Sequence, residues 1–179
     1  MAAYISAVFV LTFSVFATAN APTPKKFAKS PSPTEIPIVQ QAVLGQATVT
    51  SHVTRVIDGD TFEIESGQKV RMIGINTPEA VDTRKPVECY GKEASAHAKE
   101  LLLDQDVVLV KDISETDPYG RLLRYVYVGN NFINKSLVED GYAFATSYPP
   151  DIAYQKEFQA AERDASFNKR GLWGAGCTK

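Results

Sequence analysis

From Thr48 onward the chain falls into short apolar stretches with a two-residue period, cut by turns that carry glycine and aspartate. Thr48 to Ile57 is rich in β-branched residues and ends in Asp58-Gly59, a hairpin signal. Phe62-Glu63-Ile64-Glu65 then alternates, and Ser66-Gly67-Gln68 turns into Val70 to Ile75. This pattern predicts three consecutive strands in a meander. Val107 to Val110 and Leu122 to Val128 predict two more, flanking the loop Asp117 to Arg121. Over Gly91 to Leu103 the period changes: Ala94, Ala98, Leu101 and Leu102 recur at three-to-four spacing, which predicts an amphipathic helix. A short helix is expected over Phe132 to Asp140, stopped by Gly141. A longer one is expected over Ile152 to Phe167, with Asp151 as its N-cap. Tight turns make the first three strands antiparallel neighbours, so the set suits a small closed barrel better than a βαβ sheet. The expected fold class is α+β, a five-stranded OB-fold-like barrel with about three helices.

The first residues follow another pattern. Tyr4 to Phe16 is apolar or small throughout and leads into Ala17-Thr18-Ala19, an A-x-A site that would release a chain beginning at Asn20. Residues 1–19 therefore read as a signal peptide and the protein as secreted or periplasmic. No Lys or Arg stands before the apolar run, which keeps an N-terminal membrane anchor as the alternative. Pro22 to Gln46 holds five prolines and three lysines with no sustained period, so residues 20–46 read as a solvated tether and 47–179 as the domain.

Composition adds two constraints. From residue 47 the chain has 16 Lys and Arg against 20 Asp and Glu, which excludes a broad basic surface; contact with a polyanion must be local. The two cysteines, Cys89 and Cys177, read as one disulfide in an exported protein and as two thiols in a reducing compartment. The leader favours the bridge.

The candidate chemistry lies in the turns. Ile57-Asp58-Gly59-Asp60-Thr61, Arg71 with Asn76-Thr77-Pro78-Glu79, and Asp117-Pro118-Tyr119-Gly120-Arg121 gather two guanidiniums, several oxygen donors and carboxylates. Hydrolysis of a phosphodiester needs such a set: charge stabilisation on the phosphate oxygens, a hard cation, and a group to position or deprotonate water. With Tyr90-Gly91-Lys92-Glu93-Ala94-Ser95 and Gly171-Leu172-Trp173, these motifs resemble, in order, the staphylococcal nuclease (thermonuclease) family over about residues 47–173. The resemblance implies a five-stranded barrel with three helices. It also implies Ca²⁺-dependent hydrolysis of DNA and RNA that cuts the P–O5′ bond and leaves 3′-phosphates.

On this resemblance Asp60, the Asn76 side-chain oxygen and the Thr77 carbonyl would form the cation site, with Asp58 supporting it from behind. Asn76 departs from the best-known member, which has aspartate there. A neutral amide predicts weaker Ca²⁺ affinity and tolerance of Mg²⁺ or Mn²⁺. Glu79 corresponds to the carboxylate beside the attacking water, and Arg71 and Arg121 to the phosphate clamps. Tyr119 would hydrogen-bond a phosphate, and Tyr148 lies where the family carries base-stacking tyrosines, Tyr142 being the weaker candidate. Arg71 and Asn76, five residues apart, would point to opposite faces of a flat strand, so a bulge at Gly74 is expected to bring them together. His97, among alanines and lysines, reads as a surface residue, and neither it nor His52 has companions for a zinc site. The expected substrates are DNA and RNA, preferentially single-stranded, acted on by a monomer. The same barrel used as a non-catalytic binding module is the competing reading.

Overall fold

The computed structural model describes residues 48–80 and 86–177. The leader over 1–19 and the tether over 20–46 lie outside the described residues. Among the described residues no helix is long and apolar enough to cross a membrane.

The meander forms as expected: β1 (Thr48–Asp58), β2 (Thr61–Ile64) and β3 (Lys69–Met72) are successive antiparallel neighbours. β1 does double duty. Its first half pairs antiparallel with β5 (Asp106–Val110) from Thr48↔Val110 to His52↔Asp106, and its second half pairs with β2 through two register irregularities. Those irregularities bend the strand so that one chain serves both sides of a barrel. β6 (Leu122–Val128) pairs antiparallel with β5 at one end and parallel with β3 at the other, Arg71 opposite Leu123. That last pairing closes the five-stranded barrel.

The inward residues fill it: Val53, Phe62, Val70, Met72, Leu109, Tyr125 and Val126 are essentially inaccessible. Helix α1 (Gly91–Leu102) adds Ala94, Ala98 and Leu102, the face its spacing predicts. α2 (Ile133–Glu139) buries Ile133, Leu137 and Val138, and Gly141 follows it at φ 77°, as a helix-ending glycine should. α3 (Gln155–Phe167) turns Phe158, Ala161 and Ala165 inward; its small residues let α2 approach closely. Full burial of Phe158 contributes about 1.5–3 kcal/mol. Fully buried Asn134 ties the layers together: its Oδ1 accepts from the Val126 N–H (2.8 Å) and its Nδ2 donates to the Ile73 carbonyl (2.9 Å).

Two sequence expectations are corrected. The third strand does not run to Ile75: β3 ends at Met72, a turn at Ile73-Gly74 follows, and Ile75–Asn76 forms the separate β4, paired with β8 (Phe144–Ala145). Gly74 adopts φ 78°, and a Cβ there would lie 2.5 Å from the Phe158 ring, so the break needs glycine for both its backbone and its space. Asp151 does not cap α3, which starts at Gln155. Its buried carboxylate accepts instead from the backbone N–H groups of Ile113 (3.0 Å) and Ser114 (2.8 Å). A further short strand, β7 (Asn131–Phe132), completes the sheet beside β6.

Cys89 and Cys177 form a disulfide across 88 residues. Cys177 belongs to a second buried cluster with Phe144 and Leu172, against which Tyr90 and Trp173 pack.

Candidate active site

The β1–β2 turn places Asp60 at the mouth of the barrel, buried, with its carboxylate fully engaged. Oδ1 accepts from the Thr61 hydroxyl (3.0 Å). Oδ2 accepts from the Thr77 N–H (2.9 Å) and hydroxyl (3.2 Å) and lies 3.2 Å from Arg71 Nη2. The same Arg71 nitrogen donates to Asn76 Oδ1 (3.2 Å), and Nη1 donates to the Met72 carbonyl (2.9 Å). Arg71 and Asn76 therefore meet. The left-handed turn at Gly74 reverses the pleat that would otherwise separate them, a larger departure than a bulge.

Asp58 and Glu79 stand beside this group. Partial burial is the main reason the Asp58 carboxyl is pushed up to about 7; the Gly59 N–H (2.8 Å) opposes the rise, while the neighbouring Asp60 and Glu79 charges and a hydrogen bond with Glu79 reinforce it. Negative charge is thus concentrated around Asp60.

Across the strand, the Asp117–Arg121 loop folds on its own aspartate. Asp117 Oδ1 accepts from the Tyr119 and Arg121 N–H groups (2.9 Å each), and Oδ2 accepts from Arg121 Nε (2.5 Å). Burial opposes the Asp117 charge, but these donors outweigh it and hold the carboxyl below its ordinary range. Arg121 Nη1 reaches the Thr61 hydroxyl at 3.5 Å, so Thr61 touches both the Asp60 carboxylate and the Arg121 guanidinium. The Arg121 guanidinium also lies 5.5 Å from the Tyr119 ring centre.

A cleft of about 580 Å³ runs between this loop and the Tyr148–Asp151 segment, with Arg71 and Arg121 in its lining. Tyr119 (85% exposed) and Tyr148 (66% exposed) frame it as accessible rings rather than core residues. Asp151 is what brings the second wall into place, through its bonds to Ile113 and Ser114.

Tyr142 is not on the cleft. It stacks on His97 with ring centres 4.1 Å apart and leans on Tyr90 at 5.4 Å. His97 is consequently half-buried rather than a surface residue, covered by a ring 45 positions away that its alanine and lysine neighbours do not announce. The roles of Thr61, Asp117 and Asp151 had no signal beyond their place in or near the motifs. Each acts through a partner that only the fold supplies.

The side-chain groups around Asp60 that could hold a cation are oxygens: its own carboxylate, the Asn76 amide and the Thr77 hydroxyl, with Asp58 and Glu79 close by. Such a set suits a hard divalent cation better than zinc or copper, which favour nitrogen and sulfur ligands. Among the described residues no three His, Cys, Asp or Glu side chains converge as ligands, so Asp60 would be assisted by neutral oxygens.

A closed barrel with two arginines and two exposed tyrosines about one cleft, and with carboxylates set beside one of those arginines, defines an OB-fold protein built to handle phosphodiesters. Comparison with known proteins agrees. The family described as "Staphylococcal nuclease homologue" matches residues 69–175. The thermonuclease of Staphylococcus hyicus is 42% identical over 127 residues, covering 69% of this chain and 75% of its own. The thermonuclease of Staphylococcus intermedius is 40% identical over 124 residues (68% and 74%). Endonuclease YncB of Bacillus subtilis is 39% identical over 127 residues (66% and 59%). The chain belongs to the staphylococcal nuclease family. It is a nuclease, a hydrolase of nucleic acid.

Proposed function

We propose that the protein is an exported, cation-dependent endonuclease that cleaves the P–O5′ bond of DNA and RNA, leaving 3′-phosphates, and that it works best on unpaired strands. The observation that carries this reading is the convergence of Arg71 and Arg121 on one cleft, beside the Asp58, Asp60 and Glu79 carboxylates and between two exposed tyrosines. A narrow local site in an acidic domain suits an extended strand, whose bases can reach the Tyr119 and Tyr148 rings, better than a stacked duplex. The leader over 1–19 and the Cys89–Cys177 bridge support export.

In this mechanism Asp60, Asn76 and the Thr77 carbonyl would hold the cation, Ca²⁺ or, given the neutral Asn76, Mg²⁺ or Mn²⁺. When bound, the ion polarises the phosphate and offsets its charge. Arg71 and Arg121 donate to the non-bridging oxygens as charge builds there, and Asp117 and Thr61 keep the Arg121 fork aimed. Glu79 orients the attacking water and accepts its proton; Asp58 lies within hydrogen-bonding reach of it. Tyr148 supports a base and Tyr119 a phosphate.

The test is cleavage of end-labelled single-stranded DNA and RNA by the purified protein with Ca²⁺, Mg²⁺, Mn²⁺ or EDTA, beside Glu79→Gln. Metal-dependent cutting to 3′-phosphate ends that falls by about 10² in the variant is expected. A folded protein that binds the strand but cuts in none of the metals would overturn the reading in favour of a binding module.

A further inference from the structure

The Glu79 backbone is paired twice with Glu88. Its N–H donates to the Glu88 carboxylate Oε2 (3.0 Å), and its carbonyl accepts from the Glu88 N–H (2.8 Å). Upstream, Thr77 is fixed on Asp60, so the Glu79 backbone is tied on one side to the barrel and on the other to the exposed Glu88. Glu88 is in turn fixed from both directions. Its carbonyl accepts from Gly91 N (3.0 Å) at the start of α1, where the chain passes so close to Glu79 that a Cβ on Gly91 would lie 2.6 Å from the Glu79 carbonyl oxygen. Its next residue is Cys89, bridged to Cys177. Cys177 is buried with Phe144 and Leu172 and donates its N–H to the Leu172 carbonyl (3.1 Å), while Leu172 donates to Gly141 O (2.9 Å). A continuous line of contacts thus runs from the body of the domain through the disulfide to the backbone of Glu79.

We propose that Glu88 is a positioning residue for Glu79 and that the Cys89–Cys177 bridge holds it in register, so that the hydrolytic step depends on the bridge while strand binding does not. The proposal rests on the reading of Glu79 given above. Strand binding is separated because the cleft that holds Arg71 and Arg121 is lined by β3, the turn after it, the Asp117 loop and the Tyr148 segment, and neither Glu88, Cys89 nor Cys177 is in that lining. The Glu79 carboxylate needs its place to within a fraction of an ångström, and a displacement of about 1 Å costs roughly 10² in rate. Cys89 is exposed, so a dithiol can reach the bridge; two electrons from dithiothreitol yield two thiols and its cyclic disulfide.

The experiment compares kcat and KM on a single-stranded oligonucleotide for the full protein, Glu88→Ala, Glu88→Gln, Cys89→Ser/Cys177→Ser, and that double variant carrying Glu88→Ala, each checked by thermal melting to be folded at the assay temperature. Expected are a fall of about 10-fold or more in kcat for Glu88→Ala with KM within about two-fold, and recovery in Glu88→Gln, whose amide oxygen still accepts from the Glu79 N–H. Loss of the bridge should lower kcat in the same way, and Glu88→Ala should add little to it, since both act on one contact. Unchanged kcat in Glu88→Ala, a shift confined to KM, or strictly additive effects would overturn the proposal. Glu79→Gln separates the failures: if it stays active, the reading of Glu79 falls and this proposal with it; if it is inactive while Glu88→Ala is normal, only the positioning role is wrong.

Discussion

Gly74→Ala tests the argument that the chain break between β3 and β4 is what assembles the site. The added methyl meets two obstacles. At φ 78° an L-residue pays about 1–2 kcal/mol for the left-handed backbone. The new Cβ would stand 2.5 Å from Cε2 and 2.7 Å from Cδ2 of Phe158, an overlap with a fully buried ring that costs about 1–3 kcal/mol to relieve. Alanine also restricts the unfolded chain, returning about 0.4–1 kcal/mol. The net expectation is a loss of about 2–4 kcal/mol, or a drop in Tm of roughly 10 °C for a domain of this size. Urea unfolding followed by the single tryptophan, Trp173, gives the number, since its ring packs edge-on against Phe144 at 5.4 Å and leaves that contact on unfolding. A cycle with Phe158→Leu divides the two terms. Removing part of the ring should recover the overlap and leave the backbone strain, so the double variant should be more stable than the sum of the singles by about 1 kcal/mol or more. A Gly74→Ala protein within 0.5 kcal/mol of the parent, or a cycle that adds without remainder, would refute the reasoning.

Four further outcomes are expected. Arg121→Lys, which removes the fork held by Asp117 and Thr61, should lower kcat by about 10–10² with only a small change in melting temperature; near-parental kcat would strike Arg121 from the phosphate contacts. Asn76→Asp should raise Ca²⁺ affinity about 10-fold or more, read by calorimetry without substrate, and an unchanged affinity would place the cation elsewhere. Asp58 ordinarily ionises at 3.8 but in the fold at about 7, so between these values the unfolded chain gives up a proton that the native protein keeps. Raising pH through that window in EDTA should therefore cost stability relative to Asp58→Asn, and a constant difference between the two proteins from pH 4 to 7 would contradict the raised value. Asn134→Leu strands the Val126 N–H and the Ile73 carbonyl in the core and should cost about 2–4 kcal/mol in urea unfolding; a neutral result would mean the two groups find other partners.

The barrel was legible because its strands are short, β-branched and bounded by turn residues, and because tight turns leave little choice of pairing. α1 was legible for a similar reason, its apolar positions recurring on one face. What escaped were arrangements decided by partners distant along the chain. Asp151 has the look of a helix cap, a local feature, yet its carboxylate serves Ile113 and Ser114 on a loop some 37 residues earlier. His97 has polar neighbours in sequence and an aromatic one in space. Thr61 stood in plain view within a motif, but the motif does not say that one hydroxyl will touch both Asp60 and Arg121. The difficulty of placing Arg71 and Asn76 together was visible from the pleat alone, and Gly74 was the right residue to suspect. That the break would be a left-handed turn set by the Phe158 ring could not be read from so local a pattern.

The parallel pairing of β3 with β6 also governs when the molecule acquires its activity. Arg121 directly precedes β6, and the wall carrying Tyr148 comes later still, so a chain that has been synthesised only as far as the meander holds Asp60 and Arg71 without their counterparts. At roughly 5–20 residues per second, the 49 residues between β3 and β6 take several seconds to make. A nuclease assembled in that order passes its time on the ribosome as an incomplete one, before its two arginines and the second wall of its cleft come together.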